Sequence, residues 1–408
     1  MSERKGLSRR RVLSAGCALG AGALLHGATG CAGPMRTTAN EAYLKTPIAP
    51  KGGEVAFTAF ETRNMRAAAE HVVGQVDDLR WLSRGDSVFV KIACNSPFEH
   101  PAVTSPEAVE AMVGLLRDRG AGTIYVGDQS GVEHVRRRAS DRVASTREMM
   151  EANGLLDAVR RSGASLHTFD DHGWEEGYAA VSPDFDDHWE NGLYMARILE
   201  GVDHVVVLSR LGAHALAGYS GAVKNAVGWL RDDSRKVLHQ RGGSFFEKMA
   251  EINHSLPLRE KTRLAVTLGD KALLDVGPDM GGTYDFHSAM GFASKRLVDH
   301  DAFASALLAY LETQNVSVFS AYSPYPKHSN FWNRGFVEDM WGAGAMAKYE
   351  SIVTTPLRRG IAFDTCLSHL AALQKYHPER IVVHSNPAHV NDDMRAHLTR
   401  YGDGLLVV

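Results

Sequence analysis

His214, Lys224 and His239 are the residues of this chain whose types and spacing suit chemistry. They lie in one stretch, "HALAGYSGAVKNAVGWLRDDSRKVLH", with a histidine at each end and the lysine ten residues after the first. An imidazole titrates near neutral pH, so His214 can serve as a general acid/base. A lysine in the first turn of a helix sits at the positive end of the dipole. It either holds an anion or loses proton affinity, and both states are useful in an active site. His239 is then a second base or a metal ligand. Gly218, Ser220 and Gly221 precede the lysine and Asn225 follows it. Glycines there let backbone N–H groups approach a ligand. The plain alternative is a loop histidine, a solvated lysine and an exposed second histidine.

The elements around this stretch explain how it would be positioned. "HVVVLSR" is apolar throughout, as a strand covered on both faces should be. "LGAHALAGYSG" then loops out and "AVKNAVGWL" begins a helix. Upstream, "SVFVKIA" reads as a strand, "SPEAVEAMVGLLRDRG" as a helix capped by Ser105 and closed by Gly120, and "TIYVGD" as the next strand. Strand, helix, strand at this spacing is a βαβ crossover between parallel strands. "RLAVTLGD" and "RIVVHSN" add strands, and helical patterns cover Thr146–Arg161, His188–Leu199 and Ala302–Leu311. The predicted fold is therefore α/β, a mostly parallel sheet with helices on both faces, with or without a second lobe from about residue 285. In such sheets ligands bind at the loops leaving the C-terminal strand ends. Those loops begin near Cys94, Asp128, Leu211 and Asp270, which adds Asn95 and Asp128 to the binding candidates. Asp270 and "DVGPDMGG", Asp275–Gly282, are open between a ligand role and an ordinary turn.

Several segments together resemble the family called domain of unknown function 362. They are "VKIACNSPFEHPAVTSPEAVEAMVGLLRDRGAGTIYVGD", "LSRLGAHALAGYSGAVKNAVG" with His239 beyond, and "LGDKALLDVGPDMGG". That family usually carries a lysine where Gly212 stands here, and many members have ferredoxin-type cysteines that this chain lacks. "HALAGYSGAVK" is also similar to a segment of the lactate racemase family, over about thirty residues. There the lysine holds a covalently bound nickel-pincer nucleotide, the downstream histidine ligates nickel and the upstream one is the acid/base. By that resemblance Lys224, His239 and His214 take these roles, and chemistry at the carbon of a small hydroxy acid is implied. Ala222, Val223 and Asn225 depart from the motif. The resemblance implies a lactate-racemase-like fold and leaves the cofactor unknown, a metal or a covalently attached nucleotide-type group being its candidates. The other reading is a non-catalytic periplasmic binding protein for a small anion or metal complex.

Composition excludes some classes. A formal net charge of -3 disfavours a nucleic-acid partner. No C-x-x-C occurs among the four cysteines, so no iron–sulfur cluster of local cysteines is expected. No serine elbow, Walker loop or dinucleotide fingerprint is present in the body of the chain. The first thirty residues form a separate case. "SRRRVLS" followed by "AGCALGAGALL" has a basic head and a short apolar run, and resembles a twin-arginine export signal. It implies passage through the twin-arginine translocase to a periplasmic or exported location, with residues 31–53 as a linker. "ATGC" offers Cys31 as a lipidated first residue, which would give a membrane anchor; simple cleavage near Ala28 is the alternative. Cys94 and Cys366 remain for the folded body, as a disulfide or as two buried thiols.

Overall fold

The computed structural model describes residues 52–59, 62–181, 188–189, 192–214, 217–240, 244–274, 277–314, 365–402 and 404–408. All of these fall in the compact unit Ala39–Val408. The expected export signal, its cleavage region and Cys31 lie outside the described residues, as do Asp275 and Val276. No helix among the described residues is long and apolar enough to cross a membrane.

Fifteen strands are described. They are β1 (Gly53–Ala59), β2 (Val88–Ile92), β3 (Ile124–Gly127), β4 (Arg136–Arg137), β5 (Arg142–Val143), β6 (Ser165–Leu166), β7 (Tyr178–Val181) and β8 (Leu193–Ala196). Then come β9 (His204–Ser209), β10 (Gly212–His214), β11 (Gly218–Ser220), β12 (Thr262–Leu274), β13 (Gly282–Ser294), β14 (Ile381–Ser385) and β15 (Leu406–Val407). Eleven make one sheet in the order β15-β14-β1-β13-β12-β9-β2-β3-β6, with the β10–β11 hairpin attached to β12. Along that order every pairing is parallel except the two made by β13. Residues beyond 285 supply strands to this same sheet.

Alternation along the strands explains the two-sided core. Val88, Val90 and Ile92 of β2 face one apolar cluster and Phe89 faces the other; Val206 and Leu208 of β9 are likewise opposed to Val205 and Val207. Helices α1 (Met65–Val76) and α2 (Pro106–Asp118) cover the first face. Helices α3 (Phe245–His254), α4 (Leu297–Gln314), α5 (Thr365–Leu373) and α6 (Asp392–Tyr401) cover the second. Helix α2 is built as its sequence predicts: Ser105 accepts from the Ala108 N–H, Pro106 opens it, and Val109, Met112, Val113 and Leu116 are fully buried.

Three expectations are corrected. His188–Leu199 is not a helix: Leu193–Ala196 is β8, paired antiparallel with β7, and Leu193, Met195 and Ala196 are buried by that pairing. Thr146–Arg161 is two helices, Thr146–Ala152 and Leu155–Ser162, because Gly154 takes a left-handed φ of 84° between them. Asp270 is not at a strand end. It lies within β12, beside a register shift between Gly269 and Lys271, and pairs with His100 at 3.3 Å and Arg63 at 3.4 Å. Cys94 and Cys366 are both free, buried thiols. Burial first, and then the Asp128 carboxylate, push the Cys94 thiol up to about 12, so it stays protonated.

Candidate functional site

The parallel strands β2, β3, β9 and β12 all end at one edge of the sheet, and the candidate residues gather there. The gathering starts with Lys91, a lysine inside the otherwise apolar strand "VFVKI" and fully buried. Its Nζ meets Asp128 Oδ1 at 2.6 Å, Asn225 Oδ1 at 2.7 Å and the carbonyls of Ile92 and Asn225 at 3.0 and 3.1 Å. Asp128 Oδ2 accepts from the Cys94 N–H at 2.7 Å, and Asn225 Nδ2 donates to the Lys91 carbonyl at 3.2 Å. Burial lowers the proton affinity of Lys91, and the Asp128 charge beside it opposes that shift. Asp128 and Asn225, expected to bind a ligand, are thus spent on Lys91. They brace the ends of β2 and β3 against the turn that carries Lys224.

That turn, Ala222–Asn225, follows the β10–β11 hairpin. Its first amides do not face a ligand. Asp301, fully buried in α4, accepts from the Ala222 N–H at 2.8 Å and the Val223 N–H at 2.9 Å. His300 Nδ1 donates to Asp301 Oδ1 at 2.7 Å, His300 Nε2 meets Thr267 Oγ1 at 3.1 Å, and Thr267 meets Ser209 at 2.6 Å. A Cβ at Gly221 would lie 2.6 Å from Asp301 Oδ1. The expectation that Gly221 exposes amides to a ligand is therefore corrected: its missing side chain makes room for the chain's own carboxylate. Gly218 takes φ 78° in β11 and Ser220 is buried.

Lys224 itself is half-buried. Among the described residues it has no hydrogen-bond acceptor and no carboxylate partner. Burial first, then the charges of Arg210 and Arg235, lower its pKa to about 7. The direction agrees with the sequence expectation, and its causes are burial and the neighbouring cations. Arg210, at the end of β9, is 1% exposed. Its Nη1 donates to the Pro101 carbonyl at 3.1 Å and its Nη2 to the Pro278 carbonyl at 3.0 Å, while Nε is buried without a partner. No carboxylate pairs with it among the described residues, and burial lowers its pKa to about 10. A Cβ at position 212 would lie 2.4 Å from Arg210 Nη1, so Gly212 leaves the space the guanidinium fills. Arg235 differs: it donates to the carbonyls of Gln129, Ser130, Gly228 and Leu230 and is satisfied.

The two histidines complete the cluster. His214 lies in β10 and not in an open loop; His239 lies in the helix Asp232–Gln240. Both are half-buried. Burial, then the positive charges of Lys224 and Arg210, drive the His214 pKa well below its usual value. Burial lowers His239 to about 4, with Lys224 and Arg235 adding to it against a backbone hydrogen bond. Both rings are therefore neutral at pH 7. Their tautomers are opposite. His214 Nδ1 accepts from the Ala217 N–H at 3.3 Å, so Nε2 carries its proton. His239 Nδ1 donates to the Arg235 carbonyl at 2.7 Å, so Nε2 carries its lone pair.

Asn95 donates to Asp279 Oδ1, and His134 Nε2 meets Asp279 Oδ2 at 2.7 Å. The polar loops after β2, β3 and β12 thus converge, as strand-end logic expects, but on one another. His384 and His389 stand apart, near Glu54 and Thr58. Two cavities, of about 470 and 510 Å³, lie elsewhere. One is lined by His167, His172, Glu176 and Arg197, the other by Arg259, Lys295, Arg296 and Lys375. Neither contains a residue of the Lys224 cluster. Sequence reasoning missed Lys91, Arg210, Arg235 and Asp301. The first two carried a signal: each is the lone cation within or ending an apolar strand.

Fold and site together define a class: an α/β protein whose mostly parallel sheet gathers a lysine, an arginine and two neutral histidines beyond its C-terminal strand ends. The chain belongs to the family described as Domain of unknown function (DUF362), whose sequence pattern matches residues 88–306. That span runs from β2 into α4 and includes Lys91, Arg210, His214, Lys224, His239 and Asp301. No curated protein matches the chain. Among solved structures it is similar to the lactate racemase apoprotein from Thermoanaerobacterium thermosaccharolyticum, with 10% identity and a TM-score of 0.34 over 85% of this chain and 86% of that one.

Proposed function

We propose that this protein is an enzyme that binds a small anionic, hydroxy-acid-like substrate beside Lys224 and moves a proton or hydride at the substrate carbon. The observation that carries this reading is an excess of positive charge: Lys224 and Arg210 are withdrawn from water with no carboxylate in ion-pair contact among the described residues, only the more distant charges of Asp128 and Asp279 acting on them. An unpaired buried cation is costly, and an anionic ligand removes the cost. The histidine tautomers supply complementary chemistry. His214 carries its proton on Nε2 and His239 its lone pair there, opposite protonation patterns of the kind an acid and a base need.

A held cofactor also suits these residues. The Lys224 amine, its pKa lowered to about 7 by burial, is suited to covalent attachment, and the His239 Nδ1 bond to a backbone carbonyl orients Nε2 as a metal ligand would be. A phosphate on the turn amides does not suit them, since Asp301 fills those amides. A twin-arginine route to the periplasm, with or without a lipid on Cys31, belongs to the same proposal. It accords with a cofactor inserted before export.

The first test is the intact mass and metal content of protein purified from the exported fraction. A mass excess that Lys224→Ala removes, with one metal per chain, supports the cofactor enzyme. A bare processed chain without metal directs the chemistry to the side chains alone. His214→Ala that keeps anion affinity but abolishes turnover supports the enzyme; if the parent protein turns over no hydroxy acid and Lys224→Ala abolishes anion binding, the binding-protein reading replaces it.

A further inference from the structure

Beyond the Lys224 cluster, three other ligand-type side chains converge. Glu133 and His134 follow β3, and Asp279 lies in the connection between β12 and β13. A carboxylate oxygen of Glu133, a ring nitrogen of His134 and a carboxylate oxygen of Asp279 all lie within 4.8 Å of one another. His134 Nε2 to Asp279 Oδ2 is 2.7 Å. Three donors bound at about 2.0–2.2 Å to one ion stand roughly 3–4 Å apart, so side-chain shifts on the order of an ångström would seat a cation here.

Two features separate this group from a surface acidic cluster. The first is charge: no lysine or arginine forms an ion pair with Glu133 or Asp279 among the described residues, Arg210 acts on Asp279 only from a distance, and His134 is the one cationic partner in contact with the carboxylates. The second is how Asp279 is aimed. Asn95 donates to its Oδ1, which turns Oδ2 toward His134 and Glu133. A polar group behind a carboxylate, fixing which oxygen faces the centre, is how metal ligands are held by their surroundings. Asn95 is itself anchored, its carbonyl accepting from the Gly131 N–H at 3.0 Å, just before Glu133 and His134.

We propose that Glu133, His134 and Asp279 form a divalent-cation site, separate from the Lys224 pocket and joined to it by the loop that carries Asp279. One imidazole and two carboxylates favour a first-row transition ion such as Mn²⁺, Co²⁺ or Zn²⁺ over Mg²⁺ or Ca²⁺. The join is short. The Pro278 carbonyl accepts from Arg210, and Gly277 packs so closely on β10 that a Cβ there would meet the Ala213 carbonyl. A cation on Asp279 therefore steadies the segment that holds Arg210 and β10 in place. The ordinary alternative is a His134–Asp279 ion pair with Glu133 as a bystander.

Calorimetric titration of the metal-stripped, folded full-length chain with Co²⁺, followed by its visible spectrum, decides between them. One Co²⁺ per chain is expected, with affinity falling at least 10-fold in Glu133→Gln and 10- to 100-fold in His134→Gln and Asn95→Ala. Glu133 is exposed and forms no ion pair with a lysine or arginine among the described residues, so Glu133→Gln leaves the fold intact and keeps the test meaningful if another variant does not fold. Lys224→Ala and His239→Gln should bind Co²⁺ as the parent does. No saturable binding overturns the proposal. So does binding that survives Glu133→Gln with His134→Gln, or binding lost in His239→Gln, which would put the ion on the pocket histidines. Because Lys224 takes no part, failure here leaves the proposed enzyme reading standing, and the reverse holds too.

Discussion

Lys91 and Lys224 stand at the same end of the same sheet, linked through adjacent residues: Lys91 grips Asn225, the neighbour of Lys224. Their surroundings are opposite. Lys91 is fully buried, yet it has a carboxylate, a carboxamide and two carbonyls. Lys224 is less buried and has no hydrogen-bond acceptor or ion-pair partner among the described residues. A buried cation with a complete set of acceptors is fixed in place and has no capacity left for a ligand. One without acceptors is free to take an anion or to lose its proton. The comparison teaches that burial alone does not mark the functional lysine; the missing partner does.

The largest test of that contrast is on activity. Lys224→Ala should lower kcat/KM by about 10³ or more for whichever hydroxy acid turns over, and abolish anion binding measured by calorimetry. Lys224→Met should leave the thermal midpoint unchanged or raised, because it removes a buried cation whose burial and cationic neighbours outweigh the charge of Asp128. Unfolding in Lys224→Met would break the comparison. The matching test on the other lysine is on stability. Asp128→Ala should cost about 3–5 kcal/mol in a urea melt by leaving Lys91 buried and unpaired, whereas Lys91→Met with Asp128→Leu should recover much of that loss. If Asp128→Ala were silent in the melt, Lys91 would not be a framework residue.

The pH dependence sharpens the same contrast. Amine-directed labelling of Lys224 in the folded protein should rise through a midpoint near pH 7 while Lys91 stays unlabelled. The folded pKa of Lys224 is below its unfolded value of 10.5, so the unfolded chain keeps that proton to higher pH. Stability from this group therefore rises between about pH 7 and 10.5, and Lys224→Met should flatten that slope. His239 acts in another window. Its folded pKa of about 4 is below 6.5, so stability is lost as pH falls from 6.5 toward 4, and His239→Gln should lessen the loss.

Much of this arrangement was legible in the sequence. The parallel strands announced themselves as unbroken apolar runs, and the candidate residues do gather at the loops leaving their C-terminal ends. His214, Lys224 and His239 do influence one another's charge. The roles of Asn225, Asp128 and Gly221 were not legible, because each answers to a residue distant in sequence: Lys91 for the first two, Asp301 for the third. A glycine that admits a carboxylate from 80 residues away looks the same, in sequence, as one that admits a ligand. His188–Leu199 misled for a different reason. Its apolar spacing suits a helix, but pairing with β7 decides the backbone there.

The smallest expected effect concerns how Lys224 is held. Asp301 accepts two amides at the start of its turn, and His300 and Thr267 fix that carboxylate from behind. Asp301→Asn keeps an acceptor for one amide and removes the charge, so it should cost about 1–2 kcal/mol of stability, the range of a lost helix cap. The informative readout is elsewhere. Asp301 is not among the charges that set the Lys224 pKa, which come from Arg210, Arg235, Asp128 and Lys91. Loosening the turn should therefore lower kcat several-fold while the labelling midpoint of Lys224 stays near pH 7. A midpoint that moved upward toward the ordinary lysine value would show that Asp301 controls how deeply the amine is withdrawn from water. Lys224 would then owe its low proton affinity to the same buried network that holds its turn, and the two lysines would differ less than their partners suggest.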